Sequence, residues 1–247
     1  QMCIRDSPYT GRKYDVLFTG TYYHYQDRFV QIRQMFAEGS DMYRLYQCMF
    51  DRLVCDSSLT IEKALLDTLE QFGWSVSEEM LKTMLRCSEA IDWTIRTYQR
   101  ETVINTLAES GMELYLLGKG WKDYSGIRHS NVHIVDGWVD YRRTLEITAE
   151  TRISLNVMPW FKAGTHDRIF NAILQRSVPL TDSSAWLAEN FTDGVDIAYY
   201  DLKKLDQLPA IVQHLLTDVP YAEAIIQKGY EKVVHNLTWS NCAEWII

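Results

Sequence analysis

The 247 residues of the chain are enough for one large domain or two of ordinary size, and 47% hydrophobic with 23% charged residues are typical of a soluble globular protein. The net charge of −8 argues against a nucleic-acid binder, which needs a basic surface to neutralise phosphates. No uncharged apolar run approaches the ~18 residues that a membrane-spanning helix needs. The five cysteines form neither a C-x-x-C pair nor a metal-ligand cluster, which indicates reduced thiols in a cytoplasmic protein.

The sequences at both ends of the chain indicate that it is a fragment. Residues 1–7, QMCIRDS, resemble translated sequencing adapter of the kind found in metagenomic assemblies, and we exclude them from the fold prediction. The last three residues, 245–247, follow a helical pattern without a stop signal. We therefore expect a piece of a longer bacterial protein.

The first predicted strand runs from Tyr14 to Gly20 and is followed by Thr21. A strand that enters a glycine-containing turn is the usual first unit of a doubly wound sheet. From residue 26 to about 98, apolar residues recur at helical spacing, which predicts an insertion of several helices. Within it, Ser75 with Glu78 resembles the capping box that starts a helix.

Strands and helices alternate again from residue 112 onwards. The predicted strands are 113–117, 132–135, 153–158, 178–181 and 196–200, and the predicted helices are 141–150, 166–175, 184–190, 205–216 and 221–236. With the first strand they predict an α/β fold, a doubly wound parallel sheet of about six strands with a helical insertion. Such sheets most often have the strand order 3-2-1-4-5-6.

In that order the sheet reverses direction between its first and fourth strands, and ligands bind beyond the carboxyl ends of the strands at this point. Two loops meet there: Gly20 with Thr21, and residues 159 to 168. The second loop starts at Pro159 and continues into a helix. Its polar residues, with one from the second helical turn, are Gly164, Thr165, His166, Asp167, Arg168 and Asn171.

These residue types suit a diphosphate. Gly164 lets a ligand approach the backbone, Thr165 can cap the helix, and Arg168 adds a bidentate cation to a helix N-terminus that already attracts anions. The same composition is common at ordinary helix starts, and Asp167 would repel a phosphate beside it. His166 is a candidate acid, base or phosphate donor, although a single histidine at a helix start more often has a structural role. The residues by themselves favour a structural role for this loop.

A longer stretch resembles a known family. The segment NVMPWFKAGTHDRIFNAILQRSVPLTDSSAWLAENFTDGVDIAYYD is similar to the C-terminal region of group 1 glycosyltransferases, in their CgeB-like (spore maturation protein) branch. The matching motifs are HDR-hydrophobic-FNA, PLTD and FTDG ahead of YYD. YDVLFTGTYY and YLLGKGW are also similar to this branch, so the resemblance extends from Tyr14 to the end of the chain.

The resemblance implies the C-terminal, Rossmann-like half of a GT-B glycosyltransferase that transfers a sugar, hexosyltransferase-like, from a nucleotide-diphosphate sugar. It also implies that the N-terminal acceptor domain is absent and that the fragment is incomplete for turnover. The acceptor, whether glycan, protein or small molecule, and the catalytic residues stay unassigned, and neither a metal nor a cofactor besides the donor is expected. Expected donor and phosphate contacts are Gly20, Thr21, Gly164, Thr165, His166, Asp167, Arg168 and Asn171, and expected contacts to the base or ribose are Gly118, Gly120, Trp121 and Asp182.

In many relatives two glutamates of an E-x7-E motif touch the donor sugar and the ribose. Alignment with that motif puts Ala163 and Asn171 at the two positions, so both carboxylates are absent. Other functions stay open: a non-catalytic α/β interaction module that works through its helical insertion, or a sugar-nucleotide epimerase on the same fold. A receiver-like signalling domain would need an acidic pair after the first strand, which this sequence lacks.

Overall fold

The computed structural model describes residues 8–158 and 162–244. The predictions for residues 1–7, for Pro159 and for residues 245–247 lie outside the described residues. The chain divides into two compact units. We call residues up to Tyr22 together with those from Asn105 onwards the sheet unit, and Tyr23–Ile104 the helical unit.

The described part of the sheet unit contains six strands, all paired in parallel: β1 (Tyr14–Thr19), β2 (Leu114–Leu117), β3 (Val132–Asp136), β4 (Thr151–Asn156), β5 (Val178–Thr181) and β6 (Ala198–Tyr199). Their order is β3-β2-β1-β4-β5-β6, which confirms the predicted order and the predicted fold class. In register, Val16 of β1 lies between Leu114 of β2 and Ile153 of β4. All three side chains are buried, as expected for a sheet covered on both faces.

Three predicted strands, β1, β2 and β3, differ from the observed ones by one residue at one end, and two differ by more. β4 begins and ends two residues earlier than the predicted 153–158, because Thr151 pairs with Tyr14 of β1 and the N–H of Met158 donates to the Asp182 carboxylate. β6 has two residues instead of the predicted five, and the N–H of Tyr199 donates to the Asp193 side chain. A polar side chain thus replaces the ladder at the end of β4, and another pairs the outer N–H of the edge strand β6.

Helices cover the sheet in the usual alternating fashion. In the described part of the sheet unit they are α6 (Tyr141–Ala149), α7 (Asp167–Leu174), α8 (Ala185–Asn190), α9 (Leu208–Thr217), α10 (Val219–Asn236) and α11 (Trp239–Glu244). A short 3-10 turn, Leu205–Gln207, precedes α9, where the prediction had one continuous helix. The last helix, α11, was not predicted. On one face of the sheet, Leu17 packs with Leu117 and with Ile147 of α6.

The helical unit has its own core. Its helices are α1 (Tyr25–Met35), α2 (Asp41–Cys55), α3 (Ile61–Gln71), α4 (Glu78–Cys87) and α5 (Glu89–Glu109), whose residues from Asn105 onwards belong to the sheet unit. Leu45, Met49 and Leu65 are completely buried in this core. The prediction that Ser75 caps a helix is wrong, because Ser77 caps α4 by accepting from the N–H of Met80. In the described ranges, no helix combines the length and apolarity needed to cross a bilayer.

Candidate functional site

The two loops that meet at the reversal point of the sheet are joined by Arg168. Its Nη1 donates to the carbonyl oxygen of Thr19, the last residue of β1, at 3.0 Å. Because Arg168 lies in the first turn of α7, this bond ties the start of that helix to the carboxyl end of β1. A guanidinium therefore stands at the edge where ligands bind in doubly wound sheets.

The Arg168 side chain is largely removed from water. Burial lowers the pKa of its guanidinium, and the nearby Asp167 and Tyr200 side chains partly offset this effect. Besides the Thr19 carbonyl, Nη2 of Arg168 contacts Nε2 of His166 at 3.0 Å. An arginine side chain has more N–H donors than these two contacts use. Arg168 is therefore a partly desolvated cation that can still donate to an anion.

His166 lies between two charged neighbours. Its Nδ1 forms an ion pair with Asp167 and also lies 3.2 Å from the N–H of Arg168, so His166 and not the predicted Thr165 is the N-cap of α7. As the N-cap, Nδ1 of His166 accepts from the Arg168 N–H, and Nε2 faces the Arg168 guanidinium. The imidazole therefore contacts both the backbone and the side chain of Arg168 and lies against the Asp167 carboxylate.

The loop before α7 is held by the start of α8. The Ala185 N–H donates to the carbonyl oxygen of Lys162 at 2.8 Å, and the Ser184 hydroxyl donates to that of Gly164 at 2.5 Å. Beside Gly164, the Thr165 hydroxyl is buried and has no hydrogen-bond partner among the described residues. A buried hydroxyl in this condition is a group that a ligand or water can satisfy.

The loop after β1 is fixed by the loop after β2. The Gly20 N–H donates to the carbonyl oxygen of Leu117 at 2.9 Å, and its own carbonyl accepts from Trp121 Nε1 at 2.8 Å. A Cβ on Gly118 would overlap the Gly20 carbonyl, and one on Gly120 would overlap the carbonyl of Tyr22. Both backbone groups of Gly20 are thus already paired, and Gly20 provides only room for a ligand next to Thr21.

Trp121 does not have the exposed position expected of a residue that contacts a base. Its side chain is 1% exposed and packs edge-on against Phe18 and Tyr124 and, tilted, against Tyr22. The indole therefore has no face open to a ligand. Together with Gly118 and Gly120, it positions the loop after β1.

Asp182 follows β5 and is buried, with 4% of its surface exposed. It accepts from the N–H of Met158 at 2.5 Å. Burial raises the pKa of its carboxyl from 3.8 to about 7, and the Met158 N–H and the charge of Lys162 act in the opposite direction. Burial likewise raises the pKa of the Tyr200 hydroxyl, which donates to the carbonyl oxygen of Asn156 at 2.8 Å. These groups hold the end of β4 and the beginning of the loop that leads to Arg168.

Asn171 lies one turn after Arg168 and is held by Tyr141, the first residue of α6. The Tyr141 hydroxyl donates to Asn171 Oδ1 at 2.8 Å, which leaves the amide N–H groups of Asn171 for another acceptor. A small cavity of about 30 Å³ next to Asn171 and Arg168 is also lined by Thr19 and Asn156. Asn156 is 4% exposed, and its Oδ1 has no partner among the described residues. The cavity is large enough for water.

Sequence reasoning missed Tyr141 and Asn156 as parts of this site. Asn156 stands at the carboxyl end of the fourth strand, a position that could have indicated it. Tyr141 follows the helix cap Asp140, but nothing in the sequence pairs it with a residue 30 positions later. In the described part of the chain, no group of three or more His, Cys, Asp or Glu side chains is arranged to hold a metal ion.

Comparison with known proteins gave one family match, to the model of the glycosyl transferase-like family, over residues 96–247. A comparison with curated protein sequences gave no match. Several solved structures are similar in fold. TarM of S. aureus is 12% identical with a TM-score of 0.46, over 58% of this chain and 31% of TarM.

HepE of Anabaena, solved in complex with UDP-glucose, is 14% identical with a TM-score of 0.47, over 57% of this chain and 42% of HepE. Sucrose-phosphate synthase of Thermosynechococcus elongatus is 16% identical with a TM-score of 0.47, over 60% of this chain and 41% of that enzyme. The chain covers less than half the length of each of these three proteins.

Proposed function

We propose that this chain, which belongs to the glycosyl transferase-like family, binds a nucleotide-diphosphate sugar with the diphosphate at Arg168. The observation that best supports this proposal is the bond from Arg168 to the Thr19 carbonyl, which holds a partly desolvated guanidinium at the reversal point of the sheet. Charge-assisted hydrogen bonds from such a group to phosphate oxygens are short and strong.

The other polar groups around Arg168 fit a donor of this kind. Gly164 and Gly20 have no side chain that would keep the ligand from the backbone, and the unpaired Thr165 hydroxyl can donate to a phosphate oxygen. The amide N–H groups of Asn171 can donate to a ribose hydroxyl, because Tyr141 already occupies its Oδ1. In this proposal His166 orients Arg168 through its contact with the guanidinium.

Gly118, Gly120, Trp121 and Asp182 have a different role in this proposal. Their contacts are with the backbones of the loops after β1 and β4. They set the positions of the two loops without touching the donor themselves. The predicted direct contacts from these four residues to the base or ribose are therefore not part of the proposal.

In the proposed reaction the bond between the anomeric carbon and the diphosphate oxygen breaks, and an acceptor oxygen bonds to that carbon. The diphosphate gains negative charge as it leaves, and a fixed cation next to it lowers the energy of the transition state. Arg168 supplies this charge. A base that takes the acceptor proton is needed as well, and we assign it to no residue of this chain.

The assignment to a branch of the family, and with it the donor sugar and the cellular location, rests on the motifs HDR-hydrophobic-FNA, PLTD and FTDG. On their basis we propose the CgeB-like branch, a hexose donor, and a bacterial, cytoplasmic enzyme of the GT-B fold. This chain would be the donor-binding half, and its acceptor would be recognised by a separate N-terminal domain.

The proposal can be tested by saturation-transfer NMR of the chain with UDP-, GDP-, ADP- and dTDP-sugars, each at the same concentration. We expect signal transfer to one class of nucleotide sugar and competition by inorganic pyrophosphate at the diphosphate position. If a folded sample binds none of these donors, the proposal is wrong for this chain. The helical unit as an interaction surface is then the alternative to examine.

A further inference from the structure

Two aromatic side chains, Trp138 and Tyr141, are the most exposed large hydrophobic residues in the described part of the chain, at 68% and 61%. Both belong to the sheet unit, in or next to the short connection between β3 and α6. The connection follows the carboxyl end of β3 and therefore lies at the same edge of the parallel sheet as Arg168. Both exposed aromatic residues thus lie at the edge of the sheet where ligands bind.

The connection itself is well anchored. Val139, directly after Trp138, packs against the cluster that contains Leu17 and Leu117. Asp140 caps α6 by accepting from the N–H of Arg143 at 2.8 Å. With the next two residues held in this way, the backbone that carries the exposed Trp138 indole is fixed locally. Less backbone freedom is then lost when a ligand stacks on this side chain.

Side-chain contacts lead from the Arg168 helix to Tyr141, and Trp138 is close to Tyr141 in the chain. Asn171 is one helical turn from Arg168, and the Tyr141 hydroxyl donates to Asn171. Trp138 precedes Tyr141 by three residues, which span at most about 11 Å of extended chain. The residue that carries the exposed indole therefore lies within about 11 Å of Tyr141, which contacts Asn171.

We propose that Trp138 is the surface on which the nucleobase of the donor stacks. This inference rests on the proposed function, because it takes the diphosphate to lie at Arg168 and the ribose at Asn171. The next group of a nucleotide beyond the ribose is the base, and any base presents a π-face to an indole. Trp121, the aromatic residue that sequence reasoning assigned to the base, is buried and cannot serve.

The test uses the full chain and compares Trp138→Ala, Trp138→Phe and the control Trp93→Ala, which removes another exposed tryptophan from the helical unit. Calorimetric titration with UDP, GDP, ADP and dTDP measures nucleotide affinity, and titration with inorganic pyrophosphate measures the diphosphate position alone. We expect Trp138→Ala to weaken nucleotide binding by roughly 5- to 150-fold, the contribution of one base–aromatic stack. Pyrophosphate affinity and the melting temperature should stay at their wild-type values.

The phenylalanine variant gives an independent readout. It keeps an aromatic ring, so it should retain most of the nucleotide affinity, but the quenching of tryptophan fluorescence on nucleotide binding should disappear. Trp93→Ala should change neither quantity. Equal nucleotide affinity of wild type and Trp138→Ala, with binding still lost in Arg168→Ala, would overturn the role of Trp138 and leave the proposed function intact. A wild-type chain that binds no nucleotide would overturn both.

Discussion

Gly118 and Gly20 are in such close contact that the loops after β2 and β1 cannot accommodate a side chain between them. A Cβ on Gly118 would overlap the carbonyl oxygen of Gly20, and Gly118 also has a backbone φ of +141°, which non-glycine residues rarely adopt. The Gly20 carbonyl in turn accepts from the Trp121 indole at 2.8 Å. The position of the loop after β1, and with it the edge of the candidate site, depends on this contact.

We therefore predict that Gly118→Ala destabilises the chain by at least ~2 kcal/mol, from strain and overpacking together. A thermal melt should show a decrease of roughly 4–8 °C in Tm. Gly11→Ala is the matched control, because a Cβ at Gly11 meets no atom within 4 Å. Equal melting temperatures for Gly118→Ala and wild type would contradict the close contact.

The raised pKa of the Asp182 carboxyl predicts that the stability of the chain depends on pH. Its carboxyl has a pKa raised by burial from 3.8 to about 7, so the folded state favours the protonated form. The contribution of this group to stability is complete below about pH 4 and is lost as the pH rises to about 7. Asp182→Asn keeps an oxygen for the Met158 N–H but cannot ionise, so its free energy of unfolding should lack this decrease.

Urea denaturation at pH 5 and pH 8 checks this expectation. Asp182→Asn should gain roughly 2–3 kcal/mol of stability relative to wild type between these two pH values, because about 1 pH unit of the effect is already present at pH 5. Glu79→Gln, which neutralises an exposed carboxylate of α4, is the control for the loss of one charge. A difference between Asp182→Asn and wild type that is the same at both pH values would show that Asp182 is not responsible.

The Tyr141–Asn171 hydrogen bond predicts a graded loss of nucleotide binding. Asn171→Ala removes the proposed ribose contact and should weaken nucleoside diphosphate binding roughly tenfold. Tyr141→Phe removes only the hydroxyl that orients the amide, and a loss of roughly fivefold or less is expected. Calorimetry on both variants measures these losses. Full affinity in Asn171→Ala would remove Asn171 from the site.

The sequence allowed the sheet to be predicted because each strand is a short apolar run followed by a helical pattern. Strand order then follows from the common topology, which places the Gly20–Thr21 turn beside the loop that ends at Arg168, and Arg168 does bond to Thr19, next to Gly20. The ends of β4 and β6 were not predictable in this way. The end of β4 depends on the Asp182 side chain, which takes the Met158 N–H, and in β6 the Asp193 side chain pairs the outward-facing Tyr199 N–H.

The exposure of single aromatic residues also could not be predicted from the sequence. Trp121 and Trp138 each follow a glycine after a strand, and nothing in their local pattern separates them. Trp121 is buried because the loop after β1 covers it, and Trp138 is exposed because Val139 occupies the core in its place. Both outcomes depend on contacts between segments that are distant in the chain.

Calorimetric titration of the chain with the nucleoside diphosphates UDP, GDP, ADP and dTDP tests the central claim most directly. Arg168→Ala is compared with wild type and with Arg142→Ala, whose side chain is on the surface of α6 and 90% exposed. The account predicts saturable binding of at least one of these diphosphates, a loss of at least tenfold in Arg168→Ala, and wild-type affinity in Arg142→Ala. Unchanged affinity in a folded Arg168→Ala variant would contradict it.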